Sequence, residues 1–161
     1  RDAHLGVLWE GTSNINSLDV TTRAIARAGA HEDLGEDLTR QIESNNSLPG
    51  QYAGQLKGLV DQSVKFAEEV ARQGKETHAR KAASALYHAT TATLMANEGA
   101  ELGAAGRDAR RLLLSRMIVD HKLVAGNPLS IESGEFADAA TDALLSGAPV
   151  SLEEASRILA L

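Results

Sequence analysis

Apolar residues recur along the chain at spacings of three and four, and short clusters of glycine, asparagine and proline interrupt them. That period is the signature of the α-helix, where positions i, i+3, i+4 and i+7 share a face. Ile15, Leu18, Ala24 and Ile25 predict a helix over residues 13–28, with Thr12 or Ser13 as its N-cap and Gly29 as its stop. Leu34, Leu38 and Ile42 predict a second, over 32–43. Ser44-Asn45-Asn46-Ser47 then breaks the pattern, and Pro49-Gly50 strengthens the break. An independent bundle is expected to begin there, dividing the chain into residues 1–48 and 49–161.

Three longer helices follow. The first, over 51–72, carries a stripe of Leu56, Leu59, Val60, Val64, Ala67 and Ala71, and Gly74 stops it. The second, over 76–102, offers Ala79, Ala83, Leu86, Thr90, Thr93, Leu94 and Ala100, and Gly103 and Gly106 are expected to break it. Its small residues let neighbouring backbones approach closely, which makes it the expected central helix. The third, over 107–124, points Leu112, Leu113, Met117, Ile118 and Leu123 inward and stops at Gly126-Asn127-Pro128. Two short helices close the chain, one over 134–145 and one opening at Ser151, where Glu154 completes a capping box. The short glycine-containing links leave consecutive helices little choice but to double back. The expected fold is therefore all-α, an antiparallel helical bundle.

Composition agrees. Hydrophobic residues make up 43% of the chain and aromatic residues 3%, with alanine and leucine abundant. Alanine has the highest helix propensity, and leucine fills helix seams. No apolar run reaches the length of a membrane span, so no membrane partner is expected. Without cysteine there are no disulfides and no thiolate metal sites. The first residues do not read as a signal peptide, and a cytoplasmic location is expected. A net charge of −6 repels phosphate backbones, so nucleic acid is not an expected partner. Arg107, Arg110, Arg111 and Arg116 form the one basic segment and read as a solvated helix face. No two of the five histidines are spaced i, i+3 or i, i+4, which argues against a histidine metal site. Glu98 and Glu101 share a face but lack the Glu-x-x-His partner of a di-iron bundle.

The sharpest chemical signal lies at the start. The chain reads Arg1-Asp2-Ala3, then Leu8-Trp9-Glu10-Gly11-Thr12-Ser13-Asn14-Ile15, then Leu18-Asp19-Val20. Gly11 allows a tight turn and leaves room for a ligand beside Glu10. The turn feeds a helix N-terminus, whose unpaired N–H groups suit a phosphate or a polarised oxygen. Trp9 offers an apolar wall that would raise the Glu10 pKa and suit it to act as a general base.

This ordered set resembles the acyl-CoA dehydrogenases, which carry an Arg-Asp-Ala lead-in, an aromatic residue, Glu-Gly-Thr, a polar pair and an isoleucine that opens a helix. The resemblance covers about the first 25 residues. It implies that Glu10 removes the α-proton of an acyl-CoA thioester while the β-hydride passes to FAD. Trp9 and Gly11 would lie against the substrate, and Thr12, Ser13 and Asn14 would touch the FAD. Trp9 stands where tyrosine is commoner and is similar to the branch that includes the alkylation-response flavoproteins. The family's last domain is helical, so residues 1–48 would end that domain and 49–161 would form a C-terminal extension. Such extensions often serve oligomer contacts, and a homo-oligomer is expected. The chain starts at Arg1 and runs straight into the motif, so the parent protein is expected to extend upstream. The fragment alone is expected to be inactive and to hold no FAD. A competing reading is a non-enzymatic helical interaction or oligomerisation module. In it Glu10 does nothing, and the segment from Arg107 to Arg116 is the contact.

Overall fold

A computed structural model describes residues 13–124 and 134–161. Helix α1 (Ser13–Asp19) widens without a break into a π-helical turn, Val20–Ile25. Helices α2 (Ala30–Ser44) and α3 (Gly50–Arg72) follow, then a 3-10 turn (Glu76–His78) that opens α4 (Ala79–Ala104). Helix α5 (Arg110–Ile118) again ends in a π-helical turn, Val119–Leu123, and α6 (Glu135–Leu145) and α7 (Leu152–Leu159) complete the chain. There is no strand among the described residues. The protein is an all-α antiparallel bundle, as the periodicity predicts.

Helix α4 is the centre of the bundle and packs against α3, α5, α1 and α2. Its small residues make this possible. Ala82, Ala92, Ala96 and Ala100 are fully buried, and a Cβ added at Gly99 would lie 2.6 Å from the backbone nitrogen of Leu112 on α5. The buried face matches the expected one in part, with Ala79, Leu86, Thr93 and Ala100 buried. Leu94 is 47% exposed, and Ala83 and Thr90 are half-buried, whereas Ala82, Ala89, Ala92 and Ala96 are buried. An alanine-rich helix has little amphipathic contrast, so its neighbours rather than its own pattern choose the face. The helix also runs through Gly103 and ends at Ala104, two residues before Gly106, whose φ of +71° is a backbone conformation other residues avoid. Gly29 plays the same part after α1, with φ of +65°.

Two polar ties hold the core. The Tyr52 hydroxyl on α3 lies 2.6 Å from Ser115 Oγ on α5, and Ser115 Oγ donates to the Ala92 carbonyl of α4 at 2.7 Å. Tyr52 therefore donates to Ser115, and three helices are fixed at one buried point. Burial drives the Tyr52 phenol well above its ordinary pKa, against the opposing effect of Ser115. The second tie is Asn45, in the break after α2. Its side-chain amide donates to the backbone carbonyl of Asn97 on α4 at 3.2 Å, and its own Oδ1 accepts from Ser47 N–H. Leu38 and Ile42, before the break, share one hydrophobic core with Leu48, Tyr52 and Leu56, after it.

The third long helix starts later than residue 107. Asp108 Oδ1 accepts from the N–H of Arg110 at 3.0 Å and from that of Val150 at 3.1 Å, while Ala109 N–H donates to the Val150 carbonyl at 2.8 Å. Asp108 and Ala109 are thus occupied in clamping the loop before α7, and the helix begins at Arg110. Of its expected inward residues, Leu112 and Leu113 are fully buried, while Met117, Ile118 and Leu123 are half-buried. Ser151 caps α7 as expected, accepting from Glu154 N–H at 3.1 Å. The expected stop at Gly126-Asn127-Pro128 lies outside the described residues.

Candidate functional site

Of the motif residues, Trp9, Glu10, Gly11 and Thr12 lie outside the described residues. Ser13 and Asn14 are described, and both are exposed at the start of α1. The expected N-cap at Thr12 lies outside the described residues, and Ser13 lies within helix α1. The Ser13 carbonyl accepts from Ser17 Oγ at 2.6 Å, which shows the first turn already formed. Further along, Thr21 Oγ1 bonds back to the Ser17 and Leu18 carbonyls and Thr22 Oγ1 to the Leu18 carbonyl. These hydroxyls compete for the carbonyls of the helix ladder where α1 widens into its π-helical turn.

Asn14 and Leu18 form one wall of an open groove of ≈ 340 Å³, and Glu76, Thr77, Ala79 and Arg80 form the other. Arg80 is exposed there. The groove offers a cation and polar side chains beside the described end of the motif. It is too open and too lightly walled to enclose a flavin among the described residues.

The basic segment is not a continuous solvated face. Arg110 pairs with Asp108 at 2.5 Å and reaches the Ala148 carbonyl at 3.2 Å. Arg111 pairs with Glu98 across α4 and α5. Arg116 holds both oxygens of Asp120 at 2.9 Å, and its guanidinium lies 4.7 Å from the Phe136 ring centroid on α6. Three of the four arginines therefore tie the bundle to itself, and Arg107 stays exposed. Burial pushes the Asp108 carboxyl upward, but the backbone N–H groups of Arg110 and Val150 and the Arg110 guanidinium bring it below its ordinary range. Sequence reasoning missed the clamp because its partner, Val150, is remote in the chain.

No group of three or more metal-binding side chains occurs among the described residues. His31 is buried at the start of α2, and neither ring nitrogen finds a hydrogen-bond partner among the described residues. His78 and His121 are exposed, and His88 lines a separate cavity between α3 and α4. No helix among the described residues is long and apolar enough to cross a membrane. Exposed and half-buried apolar residues lie on α4 and α5. Tyr87 and Leu94 lie seven residues apart on α4, and Met95, Leu114, Met117 and Ile118 line a shallow hollow of ≈ 270 Å³ beside them.

No family model, curated protein or solved structure matches the chain.

Proposed function

We propose that the chain is the C-terminal helical part of an acyl-CoA dehydrogenase-type flavoprotein, with Glu10 as the base that starts α,β-dehydrogenation of an acyl-CoA thioester. The observation that carries this reading is the ordered motif from Arg1 to Ile15, whose described residues, Ser13 to Ile15, lie in helix α1. When bound, FAD supplies the acceptor for the β-hydride. The work of this chain is then to place a carboxylate against the α-carbon and keep water from it. Gly11 gives the thioester room, Trp9 shields the carboxylate, and Ser13 and Asn14 present polar side chains toward the cofactor. Most of the flavin pocket belongs to parts of the parent protein outside this chain.

A second reading is an oligomerisation module. Exposed Tyr87 and Leu94, with half-buried Met117 and Ile118 lining a nearby hollow, favour it, since apolar faces of this kind mark contact surfaces. Three of the arginines of residues 107–116 are engaged in ion pairs within the chain, while Arg107 stays exposed. In the homo-oligomer expected of the parent protein, both readings hold together.

The visible absorption spectrum of the intact parent protein tests the proposal. We expect a bound flavin that bleaches when acyl-CoA is added without oxygen, and no measurable FAD binding by the 161-residue chain alone. A colourless intact protein whose mass rises with concentration would leave only the second reading.

A further inference from the structure

A cavity of ≈ 330 Å³ lies between α3, α4 and the π-helical end of α5, remote in sequence from the Glu10 motif. Two stripes with the same spacing line it. Helix α3 contributes Leu59, Gln62, Ser63 and Phe66, and α4 contributes Lys81, Ser84, Ala85 and His88. Each set falls at i, i+3, i+4 and i+7, one face of a helix. Lys122 and Leu123 close the end. They sit in the π-helical turn Val119–Leu123, and such turns cluster at functional positions.

The chemistry of the lining is two-sided. Leu59, Phe66, Ala85 and Leu123 make an apolar floor. Lys81 and Lys122 bring two positive charges, and no aspartate or glutamate lines the cavity, although the chain carries a net charge of −6. Lys81 lies 5.6 Å from the Phe66 ring centroid, a cation held over the floor rather than in an ion pair. Ser63 is 6% exposed, and its hydroxyl bonds to nothing among the described residues. Burial and the nearby Lys122 ammonium hold the His88 imidazole below its ordinary pKa. At neutral pH the ring is a neutral donor and acceptor.

We propose that this cavity binds an amphipathic monocarboxylate, its head between Lys81, Lys122 and the Ser63 hydroxyl and its medium-length alkyl chain on Leu59, Phe66 and Leu123. An anion without a tail would leave the floor against water. A neutral apolar ligand would leave both ammonium groups unpaired. The volume sits at the small end of ligand clefts, which suits a short or medium chain and not a long one. The proposal does not depend on the flavoprotein reading.

Titration of the 161-residue chain with octanoate, followed through the His88 ring signals by NMR, tests it. A saturable shift is expected with octanoate. Hexylammonium should give none, and inorganic phosphate should bind at least about tenfold more weakly. Lys81→Met and Lys122→Met keep the aliphatic stems and remove the charges. Both side chains are exposed, so the fold should be retained, as circular dichroism would verify. Each change should weaken octanoate roughly tenfold, the usual loss for a hydrogen bond to a charged group. The proposal fails if octanoate leaves His88 unshifted, or if both methionine variants bind it as tightly as the native chain. Equal binding of phosphate, or of hexylammonium, also overturns it.

Discussion

Two side chains carry more of the structure than their chemistry announces. Asp108 satisfies two backbone N–H groups and an arginine, and so joins the start of α5 to the loop before α7. Its carboxylate is about one-third exposed, at 34%, which discounts the electrostatic share. Asp108→Ala should cost about 1–2 kcal/mol in urea unfolding at neutral pH. The folded pKa of Asp108 is depressed, so its contribution is present above the unfolded carboxylate range and is lost as pH falls through the folded value. The gap between variant and native stability should therefore narrow below about pH 4. A gap that persists unchanged in acid would show that the carboxylate charge is not what matters. Ser115 is the other case. Ser115→Ala strands the buried Tyr52 hydroxyl and should cost about 1–3 kcal/mol, whereas Tyr52→Phe leaves Ser115 bonded to Ala92 and should cost about 1. Neither tie was legible in the sequence, because each joins residues tens of positions apart, and serine and aspartate are commonplace on helices. The Ser151 cap was legible because its partner is three residues away.

At the scale of elements, period and punctuation were nearly sufficient. Helices α2 and α3 lie within a few residues of expectation because their apolar stripes contrast strongly with charged faces. Helix α4 was found, but its face only in part: Ala79, Leu86, Thr93 and Ala100 are buried as expected and Leu94 is not, because alanine on every side gives the pattern little contrast. The glycines separate two roles that sequence alone merges. Gly54 and Gly58 lie in the middle of α3 with nothing within 4 Å of an added Cβ. Gly54→Ala or Gly58→Ala should therefore raise stability by about 0.5–1 kcal/mol, the helix-propensity gain. Gly99→Ala would drive its methyl into the α5 backbone and should cost about 1–3 kcal/mol or more. Thermal unfolding of the three variants decides the matter. A Gly99→Ala protein as stable as the native one would mean that α4 and α5 are not packed as closely as described.

For the molecule as a whole, the bundle, the acidic charge and the motif were all legible, but they speak to different questions. The helices around α4 explain why the chain folds. They do not by themselves say what it does. The functional claim rests on fifteen residues at the start, of which only Ser13, Asn14 and Ile15 fall in the described structure. The claim is nevertheless specific. The α-proton of a thioester is weakly acidic, and removing it needs a carboxylate held close and kept from water. Glu10→Gln in the intact protein preserves size and hydrogen bonding and deletes the basic oxygen. Flavin binding should be unchanged. The most direct test is stopped-flow bleaching of the flavin on mixing with acyl-CoA, native protein against Glu10→Gln. We predict that the variant bleaches about 10²–10⁴ times more slowly, the range of a positioned general base. Bleaching at the native rate would contradict the account and place the base elsewhere.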